Sequence, residues 1–311
     1  MSANVPLVVR LLASSVSVAG RAGKIVRDVM SKGELGIVEK AKDDYQTEAD
    51  RSAQKCIIAS LSAQFPKVNI IGEEEQCQSS EEEVTDSIVL EADKEILRLD
   101  CPASLKSVKE EDIVVWVDPL DGTSEYTQGF LEHVTVLIGI SVNEQPVAGV
   151  IHQPYYRSLV AGEKILGRTI WGLQEVGVGG FTPAPPPDSL VITTTRSHSN
   201  PVVEKALQVM NASQILRVGG AGYKVLQLLE GAASVYVFAS AGCKKWDTCA
   251  PEAVLRAAGG RLTDILGNCY KYGPEVGHPN ATGVLAAATA ELHAFALSKI
   301  PQELKDKLAC K

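Results

Sequence analysis

The stretch VVWVDPLDGTSEYTQG occupies residues 114–129. Its first four residues form an apolar run closed by a Pro and Gly cluster, which predicts a short strand buried on both faces, since an exposed strand would alternate apolar with polar residues. Pro119 and Gly122 then favour a tight turn at the strand's end that points Asp118 and Asp121 to one side. Two like charges held so close are costly without a cation between them. The pattern alone fits either a metal site or an Asp-rich turn that bonds its own backbone.

The overall composition narrows the class of protein. The 311 residues are 45% apolar and 22% charged, which suits a globular protein of one large domain or two smaller ones. A net charge of -8 and a pI near 5.3 argue against nucleic-acid polymers and anionic membranes as partners, because both require basic surface. Seven cysteines without a CxxC pair indicate neither a zinc ribbon nor a fully paired disulfide framework and fit a reducing cytoplasm.

Two helices are predicted near the N-terminus. Apolar residues recur at helical spacing from Val8 to Val29, beyond any plausible signal-peptide cleavage point, so this segment is interpreted as an amphipathic helix packed on the core. A second apolar face runs from Ala53 to Phe65, with Thr47 as the predicted N-cap. No apolar run approaches the ~20 residues that a membrane-spanning helix needs.

The middle of the chain combines strands with one acidic segment. The runs VTVLIGISV and PVAGVIHQP, separated by NEQ, are predicted to form an antiparallel pair. The acidic stretch from Glu75 to about Asp100 shows little periodicity and is predicted to be a solvated surface loop or a loose helix.

A Pro-rich segment at residues 180–189 is the predicted domain boundary, because it cannot join a central strand. It separates an N-terminal α+β domain, residues 1–180, from a C-terminal α/β domain, residues 181–311. In the second part strands alternate with helices, which is typical of an α/β arrangement.

Four acids lie where a strand ends or a helix begins, and they are Glu73, Asp118, Asp121 and Asp247. Oxygen ligands converging from several strand ends are what a hard cation such as Mg²⁺ requires, and the absence of His and Cys from the set disfavours zinc. Two alternatives remain: Asp247 could simply be a helix N-cap, and Glu73 could belong to the acidic stretch.

A second pair of residues could activate water. Thr47 and Asp50 have a TxxD spacing that suits a capping box, and Thr123 directly after Gly122 could be a turn hydroxyl. Thr123 could instead relay a proton from water to Asp50, provided that the two side chains lie within about 3 Å of each other.

Three motifs resemble the inositol monophosphatase and fructose-bisphosphatase superfamily of Mg²⁺-dependent, lithium-inhibited phosphatases: GEE at 72–74, WVDPLDGT at 116–123 and WDTCAPE at 246–252. Further segments resemble its 3'(2'),5'-bisphosphate nucleotidase branch: ELGIVEK at 34–40, TTTRSHS at 193–199 and LRVGGAGYK at 216–224. The resemblance implies an α/β fold, a layered α-β-α-β-α sandwich.

The resemblance also implies roles for individual residues. The implied metal ligands are Glu73, Asp118, the Leu120 carbonyl oxygen, Asp121 and Asp247. The implied water-activating pair is Asp50 with Thr123, and the implied substrate contacts are Thr195, His198, Gly220 and Lys224. Two or three Mg²⁺ ions would then serve hydrolysis of the 3'-phosphate of adenosine 3',5'-bisphosphate, a small bisphosphorylated nucleotide, and of its 5'-phosphosulfate relative. Separately, the chain is expected to act as a monomer in the cytoplasm.

Other interpretations remain open at this point. An inositol phosphate phosphatase of the same superfamily would share the metal motifs, whereas a non-catalytic nucleotide or metal sensor should lack one of the acids. The VGGAGYK segment fits neither GxGxxG nor GxxxxGK[ST], so its glycines are expected to let the backbone approach a ligand or to end a strand. Sequons at Asn211 and Asn280 are common by chance, and Cys243 is interpreted as structural.

Overall fold

The computed structural model describes residues 5–41, 44–74, 88–157 and 166–309. The first part of the acidic stretch, residues 75–87, therefore lies outside the described residues. Its later part is irregular, apart from a short 3-10 turn. Within the described ranges, none of the helices is both long and apolar enough to cross a bilayer.

Two long helices begin the fold. Helix α1 (Leu7–Lys32) packs against α2 (Glu48–Gln64), as the apolar periodicity predicted, and both cover one face of the larger sheet. Thr47 is the N-cap of α2 and accepts a hydrogen bond from the backbone of that helix. A hairpin of β1 (Val38–Ala41) and β2 (Asp44–Gln46) connects the two helices.

The larger sheet has six strands in chain order. Its strands are β3 (Asn69–Gly72), β4 (Ile113–Asp121), β5 (Thr135–Val142), β6 (Gln145–Gln153), β7 (Arg168–Leu173) and β8 (Gly177–Gly179). Strands β3 and β4 are parallel, and every later neighbour is antiparallel. The predicted antiparallel pair is therefore confirmed as β5 and β6. The short helix α3 (Thr123–Gln128) follows β4 in the chain.

The smaller sheet has five strands in the order β10-β9-β11-β13-β12. Its strands are β9 (Val191–Thr195), β10 (Gln214–Val218), β11 (Val235–Phe238), β12 (Arg261–Thr263) and β13 (Val284–Ala287). The segment 180–190 between the two sheets contains no regular element, so the proposed domain boundary falls between β8 and β9.

Helices fill the space between the sheets and cover the outer face of the smaller one. Helices α5 (Ala221–Leu229) and α6 (Lys245–Ala257) contact strands of both sheets. Helices α4 (Pro201–Met210) and α7 (Ala290–Lys299) lie against the smaller sheet, and α8 (Gln302–Ala309) follows them. The layers run helix, sheet, helix, sheet, helix, which confirms the predicted sandwich.

Strand β4 is buried along its whole length, as its apolar run predicted. It does not end at Asp118, however, but continues to Asp121. Asp118 pairs with Leu137 and Asp121 with Thr135, so β4 carries one extra residue between these pairs, a β-bulge. Residues three apart on a regular strand face opposite sides, and the extra residue brings the two carboxylates to the same side.

A row of glycines sets the distance of α6 from the larger sheet. Gly139, Gly149 and Gly172 pair across β5, β6 and β7. A Cβ at Gly149 would lie 2.5 Å from the Ala250 carbonyl oxygen, and one at Gly139 would lie 2.6 Å from the Ala250 nitrogen. The strands can therefore accept the backbone of α6 directly, which places the first turn of that helix beside the end of β4.

We expect Gly149→Ala to lower the free energy of unfolding by roughly 1–3 kcal/mol, because the added methyl group overpacks the contact with α6. Urea denaturation measures the change. The matched control is Gly20→Ala in α1, where an added Cβ meets no atom of the described chain within 4 Å. Equal stabilities of the two variants would contradict the role of the glycine row.

Candidate active site

Three carboxylates meet beside the bulge of β4. Asp118 and Asp121 lie on that strand, Asp247 lies in the first turn of α6, and one oxygen of each lies within 4.8 Å of the others. Asp118 and Asp121 are buried, and Asp247 is half-buried. The structure thus brings together three of the four acids that the sequence singled out, in an arrangement suited to a hard divalent cation.

The electrostatics of this cluster favour a bound cation. Burial and the charges of Glu73 and Asp121 raise the pKa of Asp118 well above its ordinary value. Burial and the charge of Glu73 raise the pKa of Asp247 to about 7. The raised pKa values mean that the metal-free cluster retains protons at neutral pH. A divalent cation can replace such a proton, so the donor set fits Mg²⁺.

Backbone amides orient two of the acids. Asp118 Oδ1 accepts a hydrogen bond from the Leu120 nitrogen at 3.0 Å, and Asp247 Oδ2 accepts one from the Lys244 nitrogen at 2.6 Å. Lys244 is the N-cap of α6, so the N-cap interpretation of Asp247 is wrong. Asp247 is the third residue of the helix, and its side chain bonds back to the N-cap backbone.

Glu73 follows β3 and lies beside the cluster rather than within it. Its carboxylate is 3.3 Å from the Lys40 ammonium and 4.0 Å from the Lys244 ammonium. Burial raises its pKa, and its charge acts on both Asp118 and Asp247. Glu73 is therefore close enough to influence the cluster but is held by lysines on its other side.

Asp50 uses its two carboxylate oxygens for different contacts. Oδ2 accepts hydrogen bonds from the Thr47 nitrogen at 2.8 Å and hydroxyl at 2.5 Å, which completes the capping box. Oδ1 lies 3.0 Å from the Thr123 hydroxyl, which is also 3.0 Å from the Leu120 carbonyl oxygen. Burial raises the pKa of Asp50 to about 7. The capping contact and the contact expected of a water-activating pair thus coexist.

Asp121 is bound by the N-terminus of α5. Its Oδ1 accepts from the Ala221 nitrogen at 2.7 Å, and its Oδ2 accepts from the Gly222 nitrogen at 2.8 Å and the Thr135 hydroxyl at 2.6 Å. Each carboxylate oxygen accepts about two hydrogen bonds, so only Oδ1 keeps a free position for a cation. Asp121 therefore joins the larger sheet to the helix layer.

The glycines of VGGAGYK make this contact possible. Gly220 has a φ of 66°, and an added Cβ would lie 2.6 Å from the His133 carbonyl oxygen and 2.9 Å from Asp121 Oδ2. An added Cβ at Gly219 would overlap the Glu125 carboxylate. Gly219 and Gly220 follow the end of β10 at Val218, as expected, and they also let the backbone approach two carboxylates.

A cavity of about 400 Å³ opens beside the acids. All four predicted substrate contacts line it, and they are Thr195, His198, Gly220 and Lys224. Of the predicted metal and catalytic residues, Glu73, Asp121, Thr123 and Asp247 line the same cavity, whereas Asp50, Asp118 and Leu120 are not among its lining residues.

The substrate-side residues are held by local contacts. The Thr195 hydroxyl accepts a hydrogen bond from the His198 nitrogen at 3.0 Å, and the buried Lys224 ammonium donates to the Gly220 carbonyl oxygen at 2.9 Å. Lys244 also lines the cavity, whereas Lys245 is not among its lining residues.

The sequence did not predict a group of polar contacts between two segments that line the cavity. The buried Glu125 carboxylate lies 3.3 Å from the Arg196 guanidinium and 3.3 Å from the Ser197 hydroxyl. The Arg196 guanidinium also lies 3.8 Å from the centre of the Phe130 ring. These contacts join the helix after β4 to the loop after β9. No local sequence pattern predicts these contacts, because the partners are about seventy positions apart in the chain.

Comparison with known proteins agrees with this architecture. A profile of the inositol monophosphatase family matches residues 8–305. The chain belongs to the inositol monophosphatase family. The human protein named 3'(2'),5'-bisphosphate nucleotidase 1 is 50% identical to this chain over 99% of each chain. A Dictyostelium discoideum protein of the same name is 39% identical over 86% of this chain and 89% of its own. The predicted family and branch resemblance is confirmed.

Solved structures of the family share the fold. An inositol monophosphatase from Thermotoga maritima superposes with a TM-score of 0.65 at 19% identity, covering 94% of this chain and 97% of its own. CysQ from Bacteroides thetaiotaomicron, described as a bacterial member of the family, gives a TM-score of 0.63 at 20% identity, covering 88% and 96%. At sequence identities of 19% and 20%, these two structures show that the fold is shared and nothing further.

We expect Mg²⁺ to stabilise the protein more at pH 8 than at pH 6. The folded-state pKa of Asp247, about 7, exceeds the ordinary Asp value, so the metal-free folded state binds an extra proton there below pH 7. This group therefore lowers the free energy of unfolding as pH rises through 7, by about 1.4 kcal/mol between pH 6 and 8. A cation that replaces this proton restores the loss.

Thermal unfolding with EDTA or excess Mg²⁺ at each pH measures the effect. Burial lowers the pKa values of His152 and His293 to about 3 and about 4. These histidines titrate alike with EDTA and with Mg²⁺, so their contribution cancels when the two melting temperatures are subtracted. A Mg²⁺-induced shift in melting temperature that is the same at both pH values would count against proton replacement at this cluster.

Proposed function

We propose that this chain is a Mg²⁺-dependent phosphomonoesterase that hydrolyses the 3'-phosphate of adenosine 3',5'-bisphosphate, giving AMP and phosphate, and that it also accepts the related 5'-phosphosulfate. The observation that carries the proposal is a single cavity lined both by two acids of the cluster, Asp121 and Asp247, and by the basic groups of Lys224, Lys244 and His198. A substrate with two phosphates suits it, because one phosphate can face cations held by the acids while the other meets basic groups. The 50% identity to the human bisphosphate nucleotidase supports this substrate class.

Thr123 and Asp50 form the proposed proton path. A cation held by Asp118, Asp121 and Asp247 would supply positive charge to the phosphate oxygens and lower the pKa of a nearby water. The Thr123 hydroxyl accepts a proton from the attacking water and passes its own to Asp50 Oδ1, which lies 3.0 Å away. A pKa of about 7 suits Asp50 as the final acceptor at neutral pH. The water oxygen bonds to phosphorus, and the 3'-oxygen leaves with the bonding electrons.

The remaining residues divide between cations and nucleotide. We assign Asp118, Asp121, Asp247 and the Leu120 carbonyl oxygen to the main cation sites and Glu73 to a further one, so that two or three Mg²⁺ ions act together. We assign Thr195, His198, Gly220 and Lys224 to the nucleotide.

The location and assembly of the protein are part of the proposal. We propose a cytoplasmic monomer. None of the five cysteines in the described part of the chain forms a disulfide bond, which suits a reducing compartment. A relative from Bos taurus that is 33% identical is named as Golgi-resident, so fractionation of cells expressing the tagged protein is the appropriate check.

With Mg²⁺, the purified protein is expected to release phosphate from adenosine 3',5'-bisphosphate far faster than from AMP or inositol 1-phosphate. EDTA should abolish the release and lithium should inhibit it. A colorimetric assay for inorganic phosphate measures all three. A preference for inositol 1-phosphate would assign the chain to the inositol phosphate branch, and binding without release would favour a sensor.

We expect Thr123→Val to lower kcat by 10²–10⁴-fold, because the change removes the hydroxyl between water and Asp50 while keeping the shape of the side chain. The matched control is Thr127→Val, which removes a hydroxyl that donates to the Ser124 carbonyl oxygen on the same short helix. Steady-state kinetics at saturating Mg²⁺ compare the two. Similar kcat values for both variants would remove Thr123 from the proposed path.

A further inference from the structure

The first turn of α6 determines where the Asp247 carboxylate lies. Asp247 is the third residue of this helix, so a small rotation of the turn would move its oxygens away from Asp118. A helix of this kind is usually fixed by a Ser, Thr, Asn or Asp at the N-cap, whose side chain accepts from the first amides. Lys244 occupies the N-cap and makes no such side-chain hydrogen bond. Besides the bond of Asp247 itself to the Lys244 nitrogen, another part of the chain holds this turn.

A segment more than thirty residues later in the chain performs this task. The Lys245 nitrogen donates to the His278 carbonyl oxygen at 2.9 Å, and the Asn280 nitrogen donates to the Cys243 carbonyl oxygen at 2.8 Å. The segment therefore runs alongside the residues that enter α6 and pairs with them on both sides of the N-cap.

The side chain of Asn280 completes the attachment. It is 1% exposed. Its Nδ2 donates to the Lys244 carbonyl oxygen at 2.9 Å and to the Thr248 hydroxyl at 3.0 Å, while its Oδ1 accepts from the Lys245 ammonium at 2.5 Å. One amide group thus contacts the N-cap, the first residue and the fourth residue of the helix, and both its donor hydrogens are used.

These contacts also explain the sequon at Asn280. A glycan would be attached to Nδ2, which is buried between the Lys244 carbonyl and the Thr248 hydroxyl. The folded protein has no room for that modification, and the asparagine serves the architecture of the site.

We propose that Asn280 is a positioning residue for Asp247 and that cation affinity depends on it. Asn280 touches neither the acids nor the cavity, so it acts through the backbone of the first turn of α6. The inference rests on the proposed function, since it assumes that Asp247 binds the cation. Supporting groups behind a metal ligand commonly change metal affinity by 10–100-fold.

The discriminating variant is Asn280→Asp. It keeps the size of the side chain and the oxygen that meets Lys245, but it replaces both Nδ2 donors with an oxygen that faces the Lys244 carbonyl. The matched control is Tyr272→Phe. The Tyr272 hydroxyl is buried in the same network and shares the Thr248 hydroxyl with Asn280, at 3.2 Å. Its shorter contact is with Glu252 at 2.6 Å, one turn further along α6.

Binding of Mn²⁺ to the metal-free full-length protein, followed by the electron paramagnetic resonance of the free ion, measures affinity without any substrate. We expect Asn280→Asp to weaken Mn²⁺ binding by 10–100-fold and Tyr272→Phe to change it less than twofold. The Mg²⁺ concentration for half-maximal turnover should rise by a similar factor for Asn280→Asp, with kcat at saturating Mg²⁺ within a few-fold of the wild type.

Other outcomes separate the two proposals. Wild-type affinity in a folded Asn280→Asp variant, or equal weakening by Tyr272→Phe, would overturn the role of Asn280 alone. A wild-type protein that bound no Mn²⁺ would overturn the metal-dependent function and this inference with it. If circular dichroism shows that Asn280→Asp is unfolded, Asn280→Ala, which introduces no charge, is subjected to the same comparison.

Discussion

Mutual repulsion among three closely spaced carboxylates, two of them buried, governs how the sheets and helices are arranged around the site. Asp118, Asp121 and Asp247 place oxygens within 4.8 Å of one another in a largely dry site, where the ionised forms are strongly disfavoured. A packed core would avoid such an arrangement. It is retained because each carboxylate accepts hydrogen bonds from backbone amides, and because a divalent cation can balance the remaining charge.

Two helix N-termini help to meet this constraint. The amides that begin α5 bind Asp121, and the first turn of α6 carries Asp247, so both helices direct their positive ends toward the acids. Both helices lie between the sheets, and the glycine row on β5, β6 and β7 lets α6 come close to the larger sheet. The layered architecture is therefore also the means by which distant acids reach one point.

Local sequence patterns predicted much of this arrangement. The apolar run of β4, the TxxD spacing at Thr47 and the position of Asp247 near a helix start are each contained within a few residues, and each corresponds to a real element. The bulge in β4 was missed, because the register that defines it involves Thr135 on a neighbouring strand. The role of Glu125 was missed for the same reason, because its ion pair with Arg196 forms only when the two segments pack together.

The sequence by itself determined the elements and the chemical character of the site: a buried strand followed by acids, glycines and a threonine, with oxygen donors rather than nitrogen or sulfur. Periodicity and turn chemistry are local properties, so they can be recognised in a single chain. Only the tertiary structure decided how those groups are used. It directed Gly220 toward a carboxylate, left Asp121 one free acceptor position, and fixed α6 through Asn280. These are contacts between residues 35 to 100 positions apart, whose geometry exists only after the sheets and helices have packed.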